Sequence, residues 1–190
     1  MNEYPIRLEI APAAAQSRFT VFIRIAMIIP HAIILYALGA AQQVVTFIAW
    51  FAIMFTGKYP AGLFGFSVGV SRWQTRVTAY FLLLTGVYPP FALDDAVDYP
   101  IKFSVDDAFS GRNRLTTFFR IFMLIPQLIV LMFVLVAAEF ILFFAWVAAL
   151  VTGKVPEGMH TFVAGAMRWM ARFNAYANLL TDKYPPFSLT

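Results

Sequence analysis

Two long apolar runs constrain this chain more than any other feature. The first extends from Phe19 to Phe55 and the second from Leu115 to Val151, and both contain very few charged residues. A soluble domain carries about 25% charged residues, whereas this chain carries 13% and is 61% hydrophobic. So few charges cannot cover the apolar surface in water, which excludes a soluble globular domain and a disordered chain. The composition predicts an integral membrane protein.

The two runs belong to two copies of one sequence unit. Arg18, Arg24 and Pro30 recur 96 residues later as Arg114, Arg120 and Pro126, and close to half of the aligned positions are identical. Identity at this level indicates an internal duplication. The chain is predicted to consist of a first repeat at 1–93, an acidic junction at 94–98 and a second repeat at 99–190.

Each apolar run is predicted to fold as a helical hairpin. One helix of that length would extend about 55 Å, whereas the hydrocarbon core of a bilayer is about 30 Å thick. The turn is expected near Gly39, although the equivalent segment before Glu139 has no clear turn signal. The alternative is one tilted helix, which would place Glu139 within the membrane, where an ionisable residue implies a function. The predicted crossings are residues 19–38, 41–56, 115–134 and 137–152.

Two shorter segments flank each run. Ile6–Ile10 and Ile101–Val105 alternate apolar and polar residues, which indicates a half-buried strand or an extended arm on the membrane. After Gly57 and Gly153, which suit helix C-termini, apolar residues recur at spacings of three and four. This periodicity predicts amphipathic helices at about 60–85 and 156–181.

The position of these amphipathic helices depends on their arginines. Each helix carries two arginines, and each arginine would cost about 2.5–3.5 kcal/mol near the middle of a spanning helix. We therefore expect the helices to lie in the membrane interface, although a third crossing in each copy is the alternative.

These segments together predict an all-α integral membrane protein with a small cytoplasmic β-element. The two copies would be related by a pseudo-twofold axis along the membrane normal. The predicted turns carry no Lys or Arg, and all 14 basic residues lie on the other side. The positive-inside rule then places both termini of a multi-pass protein in the cytoplasm.

Motifs with a known chemistry are scarce. His31 and His160 do not recur in the other copy, and the sequence contains no zinc-protease, serine-hydrolase, phosphate-loop or dinucleotide motif. The chain contains no cysteine, which excludes disulfides, thiolate zinc sites and cysteine nucleophiles. Five aspartates near the junction match no calcium-loop spacing and are expected in a solvated linker: Asp94, Asp95, Asp98, Asp106 and Asp107. We expect no enzyme activity, no cofactor, no metal and no nucleic-acid partner.

Basic residues near the helix ends form the candidate site. Arg24 and Arg120 lie inside their runs, where each would reach lipid phosphate, form a structural ion pair or bind an anionic headgroup. A basic cytoplasmic surface is expected to bind anionic lipids, because guanidinium groups hold phosphate through two parallel hydrogen bonds. The candidate residues are Arg24, Arg72, Arg76, Arg120, Arg168, Arg172, Lys58 and Lys154. Trp73 and Trp169 are expected in an interfacial aromatic belt.

A second interpretation of the arginines on the amphipathic helices is internal pairing. Under it, aspartates of the junction and of the following segment close over these side chains instead of lipid phosphates. The aspartates concerned are Asp94, Asp98, Asp106 and Asp107.

Three functions are compatible with these features. The favoured one is a non-catalytic accessory or scaffold protein, which packs against a larger membrane complex or against itself through its many aromatic residues. A channel or transporter fits the duplication but needs a polar path, for which the candidates are Gln42, Gln43, Thr46 and Glu139. A lipid-modifying enzyme would need a nucleophile and a base, and the sequence shows no such pair.

The sequence also resembles a known family. Both copies contain Ile-Pro, Ala-Trp, Thr-Gly-Lys-x-Pro and Arg-Trp-x-x-Arg-x-x-Ala-Tyr, and both end in Leu-Leu-Thr-x-x-Tyr-Pro-Pro-Phe. This pattern is similar to the bacterial membrane family called domain of unknown function 4389, over nearly the whole chain. The resemblance implies a protein of the bacterial inner membrane with the domain in tandem, and it implies no activity.

Overall fold

The computed structural model describes residues 4–96, 98–106 and 109–190, so that Val97 of the predicted junction and Asp107 lie outside the described residues. Each copy forms one strand, one long helix and one shorter helix. In chain order the elements are β1 (Ile6–Ile10), α1 (Arg18–Thr56), α2 (Ala61–Phe81), β2 (Ile101–Val105), α3 (Arg114–Thr152) and α4 (Glu157–Ala177). The mostly helical fold, the small sheet and the helical nature of the amphipathic segments are confirmed.

Each apolar run forms one continuous helix, so the prediction of hairpins with four crossings is wrong. α1 and α3 each contain 39 residues and extend about 58 Å. The expected turn near Gly39 contains no proline, and the alanines and glutamines around it favour a helix. An unbroken helix also satisfies its own backbone groups, which apolar surroundings require. The fold thus contains two helices that are long and apolar enough to cross a membrane.

Glycines end both long helices, as the sequence predicts. Gly57 and Gly153 have φ angles of 70° and 75°, a left-handed conformation that glycine adopts without steric cost. Their N–H groups donate to the carbonyl oxygens of Ile53 and Ala149. The chain therefore reverses direction within a few residues, and α2 and α4 begin directly after Pro60 and Pro156.

The sheet joins the two copies. β1 and β2 pair antiparallel with Leu8 opposite Phe103, its equivalent in the other copy. The side chains of Ile6, Leu8, Ile101 and Phe103 are buried, whereas Arg7, Glu9 and Lys102 on the other face are exposed. Because β1 packs on α4 and β2 packs on α2, each strand completes the core of the other copy.

The long helices lie antiparallel, with each end of one beside the opposite end of the other. The Gln16 N–H donates to the carbonyl oxygen of Gly153 at 2.8 Å, and the Arg112 N–H donates to that of Gly57 at 2.9 Å. The two contacts are equivalent, because Gln16 corresponds to Arg112 and Gly153 corresponds to Gly57 in the two copies. Together with the symmetric strand register, they show a pseudo-twofold relation between the copies.

The outer faces of α1 and α3 are apolar and exposed. Phe19 and Phe55, at the two ends of α1, are 68% and 76% exposed, and Tyr36 in the middle is 85% exposed. Of the most apolar part of each long helix, 17% of residues are buried. The buried stripe of α1 faces α2, which runs back along it from Ser67 beside Gln42 to Tyr80 beside Arg24.

Candidate functional site

Arg24 and Arg120 occupy equivalent buried positions, where they bind the chain that follows the short helices. Arg24 is 2% exposed and Arg120 is 3% exposed. Nη1 of Arg24 donates to the carbonyl oxygen of Tyr80 at 2.6 Å, and Nη1 of Arg120 donates to that of Tyr176 at 2.7 Å. Each guanidinium also lies over the ring of the same tyrosine, 4.2 and 4.3 Å from its centroid. These arginines stabilise helix ends inside the protein.

The two arginines differ in the group that accepts from Nη2. In the first copy this group is the Gln16 amide oxygen, at 2.7 Å. In the second copy it is the Asp182 carboxylate, at 2.6 Å. The residue equivalent to Asp182 is Gly86, beside which the Gln16 side chain lies. A structural ion pair, one of the alternatives for these arginines, is thus present for Arg120.

The arginines of α2 and α4 also bind backbone. Arg76 donates to the carbonyl oxygen of Asp94, and Arg172 donates to those of Ser188 and Thr190. Burial lowers the pKa of Arg76 and of Arg172, and the nearby Asp95 offsets part of this shift for Arg76. The structure therefore favours internal contacts for these two side chains, and their acceptors are carbonyl oxygens rather than the predicted carboxylates.

Arg72 and Arg168 fasten the sheet to the short helices. Nε of Arg72 donates to the carbonyl oxygen of Phe103, and Nε of Arg168 donates to that of Leu8, both at 3.3 Å. Each arginine thereby binds a strand of the other copy. Of the eight basic candidate residues, Lys58 and Lys154 are the exposed ones, and they lie directly after the glycines that end α1 and α3.

The prediction that Trp73 and Trp169 form an interfacial belt is wrong. Their side chains are 5% and 4% exposed, because the apolar stripe of each short helix packs against its long helix. The Trp73 indole N–H donates to His31 Nδ1 at 3.1 Å, and the Trp169 indole N–H donates to Gln127 Oε1 at 2.8 Å. His31 and Gln127 are equivalent positions, so His31 serves as an acceptor inside the core.

A polar network lies where α1 meets α2 in the first copy. Gln42 Nε2 donates to Ser67 Oγ at 2.9 Å, and Tyr59 Oη lies 2.8 Å from the same oxygen. Thr46 Oγ1 donates to Asn178 Oδ1 at 3.3 Å, and burial raises the pKa of Tyr59. Gln42 and Thr46 are two of the residues that the sequence predicts for a polar path, whereas no role is predicted for Tyr59, Ser67 or Asn178.

The equivalent region of the second copy is apolar. The residues that replace the network are Ala138, Leu142, Val155, Val163 and Leu82. Glu139, which follows Ala138 on α3, is exposed beside this region. Since α3 is one helix, Glu139 does not lie in a turn between two crossings, and the interpretation that required that turn is wrong. A comparison of the two copies for positions that are polar in one and apolar in the other would have found both regions.

The described residues contain no group of three or more His, Asp or Glu side chains that could hold a metal ion. The two histidines make different contacts. His31 accepts a hydrogen bond from Trp73, whereas His160 Nε2 lies 3.3 Å from the carbonyl oxygen of Leu84. The buried arginines bind backbone carbonyl oxygens, and those of Arg72 and Arg168 belong to the other copy.

These features define a duplicated, mostly helical protein with two helices that could cross a membrane and a small sheet that joins the copies. The family described as Domain of unknown function (DUF4389) matches residues 18–92 and 114–188. The chain belongs to this family and contains its domain twice in tandem. No curated protein and no solved structure matches the chain.

Proposed function

We propose that the protein is a non-catalytic membrane scaffold or accessory subunit that inserts into the membrane from one side, with its pseudo-twofold axis along the membrane normal. In this arrangement α1 and α3 are embedded by their apolar faces, and the sheet lies in water on the cytoplasmic side. The main support for the proposal is that the charged sheet lies on the pseudo-twofold axis while both ends of each long helix lie at one height along that axis.

The antiparallel pairing fixes the orientation of the long helices relative to the axis. A twofold rotation moves the start of α1 onto the start of α3, which lies beside the end of α1. Both ends of α1 therefore lie at the same height along the axis. If the axis is the membrane normal, both ends lie at one depth and the helix does not span. If the axis lies in the membrane plane, the helix spans and the axis is at the bilayer centre.

The charged face of the sheet favours the first orientation. The axis passes through the Leu8–Phe103 pair, since these equivalent residues lie opposite each other. A spanning arrangement would thus place the exposed side chains of Arg7, Glu9 and Lys102 near the bilayer centre, at a cost of about 2.5–3.5 kcal/mol for each basic residue. With the axis along the normal, the same side chains lie in water.

The same orientation brings the exposed basic residues at the helix ends to one level. Arg18, Lys58, Arg114 and Lys154 are all exposed, and they lie at the four helix ends that the pairing holds at equal height. Each would contribute about 1 kcal/mol of attraction to an anionic leaflet. We propose that these four, rather than the buried arginines, contact lipid headgroups.

The exposed aromatic side chains support the scaffold role. Phe51, Phe118, Phe143 and Phe144 lie on the outer faces of the long helices and are 41–60% exposed. Such rings supply large contact areas in protein interfaces. Their partner is a larger membrane complex or another copy of the chain.

Cysteine labelling tests the orientation, because the chain has no native cysteine. Arg18→Cys, Lys58→Cys and Lys102→Cys would be treated with an impermeant thiol reagent in sealed vesicles of each orientation. We expect all three to react from the same side and Tyr36→Cys to react from neither. Reaction of Arg18→Cys and Lys58→Cys from opposite sides would show that α1 spans, and release of the protein by alkaline carbonate would exclude embedding altogether.

A further inference from the structure

We propose that a groove between the two copies, with Glu139 of α3 in its wall, binds a cationic amphiphile, which is a single alkyl chain that carries an ammonium group, and that Glu139 is the counter-charge. At the equivalent site on the other side of the pseudo-twofold axis, polar side chains replace several of the apolar ones. This inference goes beyond the proposed scaffold role and does not depend on how the protein is oriented in the membrane.

Two adjacent cavities form the groove. One has a volume of about 460 Å³ and lies between the start of α1, the end of α2 and the second half of α3. The other has a volume of about 250 Å³ and continues between α3 and α4. Both are lined by Phe81, Glu139 and Leu142. The larger cavity alone falls within the range of about 300–1,000 Å³ that is usual for small-molecule sites.

A polar contact between the copies bridges the equivalent space. The counterparts of Leu142 and Leu82 are Thr46 and Asn178, whose side chains are hydrogen-bonded to each other. The counterpart of Phe81 is Ala177, and that of Glu139 is the amide Gln43. The groove therefore lies on the side of the axis where these positions are apolar and the amide is replaced by a carboxylate.

Glu139 gives the smaller cavity a negative charge, because no basic residue lines that cavity. Between Ile121 and Val151 it is the one ionisable residue in the sequence. Within the described residues it forms no ion pair or hydrogen bond. Arg24 lines the same cavity, but its guanidinium donates to the carbonyl oxygens of Tyr80 and Thr85 and to Gln16. A bound ammonium group would form an ion pair with this carboxylate, which has no partner of its own among the described residues.

The walls of the groove fit the rest of such a ligand. The aromatic rings of Phe81, Phe143 and Trp146 line the larger cavity together with Glu139. Aromatic rings with a carboxylate are a favourable environment for an ammonium group, because the face of each ring attracts a cation. The smaller cavity is lined by Leu135, Met167 and Met170, and methionines adapt readily to a flexible alkyl chain.

Tryptophan fluorescence can test the groove, because Trp146 lines it and Trp50 occupies the equivalent position in the other copy. The protein in a neutral maltoside detergent would be titrated with dodecyltrimethylammonium brominated on its chain, a quencher of nearby indoles. A brominated dodecyl maltoside is the uncharged comparison. In the Trp50→Phe protein Trp73 and Trp169 remain buried, and a matched Trp50→Phe, Trp146→Phe protein gives the quenching due to these two. After this is subtracted, we expect the cationic probe to quench Trp146 at a concentration about three- to fivefold lower than the neutral probe.

The matched variants separate binding from general partition into the micelle. Glu139→Gln should abolish the preference for the cationic probe, and Leu142→Phe should reduce quenching by both probes because it fills the groove. Gln43→Glu supplies a carboxylate at the equivalent position and should create no preference at Trp50 in the Trp146→Phe protein. Equal quenching by both probes, an unchanged preference in Glu139→Gln, or a new preference in Gln43→Glu would each overturn the proposal. Circular dichroism on every variant confirms that the fold is retained, and Leu142→Phe gives an independent result if Glu139→Gln unfolds.

Discussion

Replacement of Arg120 tests whether the buried arginines are structural. Its guanidinium connects the start of α3 to the end of α4 and to the chain beyond. Nη1 donates to the carbonyl oxygens of Tyr176 at 2.7 Å and Thr181 at 2.8 Å, and Nη2 lies 2.6 Å from Asp182 Oδ1. The side chain is 3% exposed, so water cannot easily replace these contacts when the guanidinium is removed.

The expected magnitude follows from the groups that lose their partner. Arg120→Met retains an apolar side chain but removes the guanidinium donor from two carbonyl oxygens and the cation from Asp182, which keeps only the Asn113 N–H as a donor to its carboxylate. Breaking a buried ion pair by removal of one partner costs about 3–5 kcal/mol. Because the Asp182 side chain is 23% exposed and partly regains hydration, we expect a loss of about 3–4 kcal/mol in the free energy of unfolding.

The assay is denaturant unfolding in neutral detergent, followed by circular dichroism and by native mass spectrometry of bound lipid. Asp182→Asn should cost less, about 1–2 kcal/mol, because the carbonyl contacts of Arg120 remain. Lys154→Met, at an exposed position, is the control and should stay within about 0.5 kcal/mol. If Arg120→Met matches this control in stability while anionic lipid is lost, Arg120 is a lipid ligand and the structural explanation is refuted.

Three further predictions concern other parts of the fold. Ser67→Val should lower the free energy of unfolding by about 1–3 kcal/mol because it leaves Gln42 and Tyr59 without their shared partner. The double variant Ser67→Val with Gln42→Ala, which introduces the residues of the second copy, should lower it by less in the same unfolding assay. Gly165→Ala should destabilise the protein because the new Cβ would lie 2.8 Å from Leu189 atoms, whereas Gly62→Ala, with open space around it, should raise stability by about 0.5–1 kcal/mol. Burial raises the pKa of Tyr99, so its neutral form contributes stability that is present below about pH 10 and is lost as the pH rises further. Tyr99→Phe should therefore flatten the alkaline fall in unfolding free energy above pH 10, and an unchanged slope would contradict this assignment.

The parts of the fold that the sequence predicts correctly depend on local signals. The alternation at Ile6–Ile10, the glycine at Gly57 and the three-and-four spacing of the amphipathic segments each specify structure within a few residues. The repeat then transfers every one of these conclusions to the second copy. The antiparallel order of the strands follows from the twofold relation rather than from any property of either strand alone.

The errors arise where the conclusion depends on surroundings that lie far away in the chain. The predicted hairpin depends on the thickness of the bilayer, which limits the length of a helix only if that helix spans the membrane. No residue near Gly39 interrupts the helix. Trp73 and Trp169 were placed at an interface by residue type, yet their partners His31 and Gln127 lie 42 residues away. The Nη1 acceptors of Arg24 and Arg120 are backbone carbonyl oxygens, which carry no signature in a sequence.

The exchange of strands between the copies has a consequence for synthesis. β1 is made 95 residues before β2, as the pairing of Leu8 with Phe103 shows. Translation adds about 5–20 residues per second, so β2 is synthesised roughly 5–20 s after β1. During that interval the edge of β1 has no partner strand, and such an unpaired edge can pair with a strand of another chain. The first copy therefore leaves the ribosome incomplete, and its core closes only when the second copy begins to appear.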